Sequence, residues 1–454
     1  MSISSARSSA DSRPARYSDW GQLLFCGVCA GLAALLAVAD YLPQQVSVAV
    51  VTAIGVLFLV RAIATRTLAP RTMADWPNVL TLLLLPVGLW VSFDGKLNWI
   101  SWLVVCKIIA GMAVFYGLAG LAGTRWLAFL PGSFLLLSLA VLAFVVVDTQ
   151  WPATKMPLMP SGLYQLLPAF QLPGRAAGGF NPNLTGGTLA LFLLPAVALF
   201  LWGEGWRLRL LALLTAGLVG VVLLLSQSRG AWIAAALALL IMPGLRWRRW
   251  WIVVALLAAA AVAGVWVAGP ARIAQAVFPA VGVSESTVNT LSGRLEIWSR
   301  ALYLIQDFSF TGAGPGRFQW VVNLLYPLFT IGPDAEVPHA HNTFLQAAAD
   351  FGIPGLIAHV AFLLTLAAGL AATLRQNRRG TLSALAVGLL GTLLVYLLHG
   401  MIDALYASQR AYVLASVAFG VMALLSIELL TPQQAAGSVG PASDSNQANV
   451  RSLR

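Results

Sequence analysis

The sequence predicts an all-α, polytopic helical membrane protein of about twelve transmembrane helices, with a large loop that contains short helices. Three observations carry that prediction. Of 454 residues, 59% are hydrophobic and only 9% charged, whereas soluble domains carry about 25% charged residues. Apolar runs long enough to cross about 30 Å of hydrocarbon recur along nearly the whole chain. A segment in lipid must also satisfy its own backbone polar groups, which for such runs means a helix.

In chain order, the expected spans are residues 22–40, 44–62, 77–93, 98–121, 126–147, 184–203, 208–226, 230–244, 250–268, 351–374, 381–399 and 406–429. With the N-terminus in the cytoplasm, the basic clusters Arg61/Arg66/Arg71, Arg207/Arg209, Arg246/Arg248/Arg249 and Arg375/Arg378/Arg379 all fall inside, as the positive-inside rule requires. One missed helix would invert every later loop, so this agreement also supports the count. Residues 1–21 then form a cytoplasmic tail, and 22–430 a transmembrane unit with periplasmic loops 148–183 and 269–341. Residues 431–454 form a cytoplasmic tail rich in Gln, Ala, Ser and Gly, expected to be disordered. Ala37-Val38-Ala39 resembles a signal-peptidase site, but the apolar run before it is longer than a usual signal core, and a retained helix is expected.

The net charge of +11 sits in short clusters between apolar runs, which reads as topology and excludes nucleic acid as the partner. Membrane lipid is the partner implied instead. Cys26, Cys29 and Cys106 all lie in apolar segments, and the C-x-x-C they include lacks a βαβ context, so helix packing is expected.

His339 and His341 stand in Pro338-His339-Ala340-His341-Asn342, at the end of the second long loop. Their i, i+2 spacing does not put two imidazoles on one helix face, and no local acidic cluster completes a metal site. They are either solvated loop histidines or a general acid or base at a membrane surface. His359 and His399, within or ending spans, are expected to make interhelical hydrogen bonds. Arg229, in the break Ser226-Gln227-Ser228-Arg229-Gly230, needs an anionic partner beside lipid. That partner is an acidic side chain, a lipid headgroup or a lipid-linked phosphate, which the planar guanidinium holds through two hydrogen bonds.

Ser292 is the expected N-cap of a helix through Leu295, Ile297, Trp298 and Ala301. Arg294 then stands in the first turn, where a cation opposes the helix dipole unless an anion binds between them. Arg300 has an ordinary partner in Glu296 at i−4. The turn Gly312-Ala313-Gly314-Pro315-Gly316-Arg317-Phe318 has glycines enough for an anion nest. Lys107, mid-span, is either functional or paired inside the bundle with Asp148 or another carboxylate.

These motifs together resemble the bacterial O-antigen ligase and polymerase superfamily of membrane glycosyltransferases, over about Phe180 to Leu430. The most specific piece is His341-Asn342, then nine residues to Gly352 and two more to Gly355. Ser228-Arg229-Gly230, Gly293-Arg294 with Ile297-Trp298, and Gly312 to Phe318 follow that family's order. The resemblance implies a GT-C-like enzyme that transfers O-antigen glycan from undecaprenyl pyrophosphate to the lipid A-core oligosaccharide, at the periplasmic face of the inner membrane. It implies His341 as the base, with Arg229 and Arg294 on the pyrophosphate. His339, Asn342, Arg300, Asp403 and Arg410 stand as secondary candidates. No metal and no cofactor is expected, in keeping with the lack of a D-x-D in either long loop. A polymerase or a protein O-oligosaccharyltransferase would share the chemistry and differ in acceptor. A lipid-linked glycan transporter would instead gather its polar groups at the bilayer midplane.

Overall fold

The structure, a computed structural model, describes residues 18–94, 98–151, 161–164, 167, 180–270, 272, 290–332 and 335–430. Both expected tails lie wholly or mainly outside these residues, as does much of the two long loops.

The described residues form helices α1 (Asp19–Ala37), α2 (Gln44–Thr65), α3 (Asp75–Val91), α4 (Trp99–Ala119), α5 (Leu130–Asp148), α6 (Ser161–Tyr164), α7 (Pro182–Trp202), α8 (Trp206–Leu225), α9 (Arg229–Ile241), α10 (Trp250–Ala268), α11 (Leu291–Asp307), α12 (Phe318–Leu325), α13 (Thr343–Gln376), α14 (Thr381–Gly400) and α15 (Gln409–Leu430). Ten are long and apolar enough to cross a membrane, and Asp75–Val91 and Arg229–Leu245 are shorter apolar helices. The chain is therefore an all-α, multi-pass membrane protein. Each of the twelve expected spans has its helix.

Sequence sets the helix ends. Asn98, Asn181 and Asn342 accept hydrogen bonds from backbone N–H groups of α4, α7 and α13, which have no partner within the helix. Pro182 follows Asn181 at the first helical position, where its missing N–H costs nothing. In α13 the expected start near residue 351 is displaced. A short helix from Thr343 runs into Gly352, whose φ of 70° breaks the spiral. A Cβ there would lie 2.6 Å from the Phe310 carbonyl carbon, so only glycine fits both the angle and the contact.

The bundle is built on α7, which packs against α8, α9 and α14, and on α4, which packs against α1 and α15. The facing sides of α7 and α14 are almost wholly buried. By contrast, α10 has no buried residue, and among the described elements it packs mainly against α9 and the turn before itself. Such an all-round apolar helix is solvated by lipid. At one end of the bundle, the C-termini of α1, α5, α8 and α14 meet the N-termini of α7, α9, α13 and α15. Bonds between Thr149 and Thr185, Gln227 and Tyr164, Asn342 and Met401, and Arg410 with Asp40 and Asp148 join them there. The amphipathic α11 lies against α13 at this same end, burying Arg294, Ile297, Ala301 and Leu304.

Candidate active site

The site is assembled where α13 begins and α14 ends. The Asn342 side chain accepts from the N–H groups of Phe344 and Leu345 at 2.9 and 3.0 Å, and its Nδ2 donates to the Met401 carbonyl at 3.1 Å. One residue thus caps a helix and ties it to the turn after α14. The Thr343 hydroxyl adds a bond to the Asp403 carbonyl at 3.3 Å.

His341 precedes that cap with φ 47°, a left-handed conformation that His adopts more readily than most residues. Its N–H donates to Nδ1 of His339 at 3.2 Å. The backbone therefore doubles back, and the two imidazoles lie with their centres 4.2 Å apart, tilted by 52°. Asp403 approaches from the α14–α15 turn, with its Oδ1 3.4 Å from Nδ1 of His341. That contact is close but falls outside hydrogen-bond geometry, and Nδ1 has no other partner among the described residues. The same Oδ1 accepts from the Ala404 N–H at 2.8 Å.

His339, His341 and Asp403 each bring one potential ligand atom within 4.8 Å of the others. The sequence offered no acidic cluster beside the histidines, and here the fold supplies Asp403, 62 positions beyond His341. Local spacing could not reveal this.

Charge is concentrated at the site. Burial favours the neutral form of Asp403, but the imidazoles of His341, His339 and His399 outweigh it and hold the carboxyl well below its usual range. Burial and the neighbouring His341 push His339 down to about 3, against the pull of Asp403.

Arg294 is 5% exposed, and its Nε and Nη1 have no hydrogen-bond partner among the described residues. Burial draws the guanidinium below its ordinary value, Asp403 opposes that, and Arg229 adds to it, so Arg294 lies within electrostatic reach of both. The helix cap differs from the expected one. Thr290, and not Ser292, is the N-cap and accepts from the Gly293 N–H at 3.1 Å. Arg294 then completes the first turn, its own N–H bonded to the Thr290 carbonyl. Arg229 opens α9 directly after Ser228, whose hydroxyl accepts from the Ala231 N–H.

Other candidates take structural parts. Arg300 donates through Nε to the Pro327 carbonyl at 3.0 Å and lies 3.5 Å from Glu296, as its spacing predicts. Burial disfavours ionised Glu296, but N–H groups of Thr330, Phe329 and Ile331 hold its carboxyl below the usual range. Arg410 is committed to Asp148 at 3.0 Å and Asp40 at 2.9 Å. Asp148 is consequently not the partner of Lys107. That ammonium donates to the Tyr406 carbonyl at 2.6 Å and lies 4.5 Å from the Tyr406 ring centre. The glycine turn 312–318 does have φ of 67°, 94° and 72° at Gly312, Gly314 and Gly316. However, the Gly316 N–H is taken by Asp350 at 3.0 Å, so an internal carboxylate occupies part of the anticipated nest. His359 Nε2 and both nitrogens of His399 have no hydrogen bond among the described residues. His399 packs in the space left by Gly187 and Gly230, with the Gly230 backbone of α9 as its interhelical polar neighbour.

One network was missed in the sequence. Gln346 accepts from the Ala340 N–H at 2.8 Å and donates to Asp350 at 2.9 Å, holding the histidine segment to α13. Two polar residues at i and i+4 in an otherwise apolar stretch were the available signal.

Residues 214–360 match the family model described as O-antigen ligase. That match covers about a third of the chain and supports the superfamily read from its motifs. The match contains Arg229, Arg294, His339 and His341, while Asp403 and Arg410 lie beyond it. No single curated protein matches the chain.

Proposed function

We propose that this O-antigen ligase-type membrane glycosyltransferase moves O-antigen glycan from undecaprenyl pyrophosphate to the lipid A-core oligosaccharide, at the periplasmic face of the inner membrane. His341 is the general base. It takes the proton of the acceptor hydroxyl as that oxygen attacks the anomeric carbon, a contribution of about 10² to 10⁴ in rate. Asp403 beside Nδ1 orients the ring and stabilises the imidazolium that forms. The bond from the anomeric carbon to the phosphate oxygen breaks, its electron pair leaves with undecaprenyl pyrophosphate, and the single displacement inverts the anomeric centre. Arg294 and Arg229 face the growing pyrophosphate charge. Donors preorganised in a dry site meet such charge without reorganisation, so the reading calls for no metal.

The observation that carries this reading is the buried guanidinium of Arg294, with two N–H-bearing atoms unpartnered among the described residues, beside the His341–Asp403 pair. A buried cation that leaves hydrogen bonds unmade is costly, and an anionic ligand removes the cost. A transporter reading lacks an equivalent, because this polar cluster gathers at one end of the bundle.

The acceptor is decided by assay. Purified protein with one undecaprenyl-pyrophosphate-linked glycan is offered lipid A-core, a second lipid-linked glycan, or a pilin-like protein. Product on lipid A-core is expected. Product only on the second lipid-linked glycan would make the protein a polymerase, and product only on protein an O-oligosaccharyltransferase.

A further inference from the structure

We propose that His339, His341 and Asp403 form a reversible transition-metal site, of the kind that binds Zn²⁺ or Co²⁺, and that a metal held there switches off proton transfer at His341. One nitrogen from each imidazole and one carboxylate oxygen lie within 4.8 Å of one another, and the His341–Asp403 pair is at 3.4 Å. Ligands about 2.0–2.2 Å from a tetrahedral ion stand roughly 3–4 Å apart, so small side-chain rotations close the set.

A second observation points the same way. Nδ1 of His341 is buried, faces a carboxylate, and makes no hydrogen bond among the described residues. In the tautomer that carries its proton on Nε2, this nitrogen presents a lone pair beside Asp403, open to a metal. The left-handed backbone at His341 and its N–H bond to His339 are what bring the rings together, and Asp403 is fixed by the Ala404 N–H and by its own bonds to Thr343 and His399. The fold has preorganised the three ligands.

Ligand chemistry selects the metal. Two imidazoles and one carboxylate, with room for one further ligand, suit Zn²⁺, Co²⁺ or Ni²⁺, whereas Mg²⁺ and Ca²⁺ prefer all-oxygen shells. Two features hold the affinity down and make binding reversible. Arg294 and Arg229 place positive charge close by. Coordination by His339 also disturbs the bond its Nδ1 accepts from His341.

The inhibitory effect rests on the base role of His341, while the metal site itself does not. A neutral imidazole has one nitrogen lone pair for a proton or a metal. A metal that takes it from His341 leaves none for the acceptor hydroxyl.

The test uses full-length protein purified without a histidine tag, which keeps background low because the chain has only four histidines. Co²⁺ is titrated and followed by its visible absorption, then displaced by Zn²⁺. One Co²⁺ per chain is expected, with excess Mg²⁺ unable to compete. His339→Asn and Asp403→Asn should each weaken binding by at least about tenfold, the lower end of what lost metal partners cost, and His359→Gln should leave it unchanged. Size-exclusion profile and melting temperature establish that each variant is folded. Folded wild-type protein that binds no Co²⁺, or folded His339→Asn that binds it as tightly, would overturn the site. In the transfer assay Zn²⁺ should stop turnover and a chelator restore it, and undiminished transfer with the site filled would overturn the switch. Should His341→Ala keep transferring glycan, the base role fails while the Co²⁺ titration still decides the metal site.

Discussion

Arg294 and Arg410 are 5% and 7% exposed, yet they belong to regions built on opposite principles. Where α15 meets α1 and α5, Arg410 is matched by two carboxylates, Asp148 and Asp40. At the start of α11, Arg294 is equally buried but leaves Nε and Nη1 unpartnered among the described residues, with Arg229 adding like charge. A paired buried cation holds helices together, and losing one partner leaves the other charge uncompensated. An incompletely bonded one costs stability, which under the proposed function the donor's phosphates would offset. The regions therefore predict opposite consequences for the same substitution.

The largest expected effect concerns the chemistry beside Arg294. His341→Ala should lower the transfer rate by about 10²–10⁴ while melting stays near wild type, as single-turnover assays and thermal scans would show. Unchanged turnover would remove the reactive member of the first region. Next is Arg410→Ala, which should destabilise the protein by about 3 kcal/mol, a figure tempered by the 37% exposure of Asp40. Adding Asp148→Asn should recover part of that loss, seen by denaturation in detergent. If Arg410→Ala melted like wild type, the pairing would be doing no structural service.

A smaller effect separates the two histidines. His339 is held neutral, with its value pushed from 6.5 to about 3. The unfolded chain takes up a proton near pH 6.5 that the folded chain refuses until far lower pH, so the unfolded state binds more protons in between. Stability is then full above about pH 6.5 and is lost as pH falls towards 3. Replacing His339 with Gln should flatten that decline in melting temperature, and an equally steep decline would exclude His339 as its source. The smallest effect is expected at Glu296, whose carboxylate gathers the N–H groups of Phe329, Thr330 and Ile331. Glu296→Gln should cost about 1 kcal/mol and speed hydrogen exchange at those amides.

Much of the fold was legible because lipid imposes a one-dimensional rule. Length and hydropathy decide where a span is, and each expected span has its helix. Only the entry to α13 was misplaced, because Gly352 lets a short helix precede the span. The site was legible in parts. His341, Arg294 and Arg229 stand in motifs that the O-antigen ligase match also covers, and Arg300 with Glu296 follows from helix spacing. Asp403 beside His341 could not be read locally, since two turns far apart in sequence supply the pair. The cap at Thr290 was missed in favour of Ser292 because both are good caps and only packing chooses between them. Lys107 was expected to be functional or to pair with Asp148 or another carboxylate; Asp148 is taken by Arg410, and Lys107 meets the carbonyl and ring face of Tyr406 with Asp350 as its carboxylate neighbour.

Binding of the donor lipid tests the role of the buried Arg294 guanidinium most directly. Undecaprenyl pyrophosphate is titrated into detergent-solubilised wild-type, Arg294→Ala and Arg410→Ala protein, each shown to be folded at the assay temperature. Charge-assisted hydrogen bonds contribute about 1.5–3 kcal/mol, so Arg294→Ala should bind roughly 10- to 100-fold more weakly, and folded Arg410→Ala should bind like wild type. Equal affinity for wild type and Arg294→Ala would contradict the claim that this buried guanidinium is completed by the donor's phosphates.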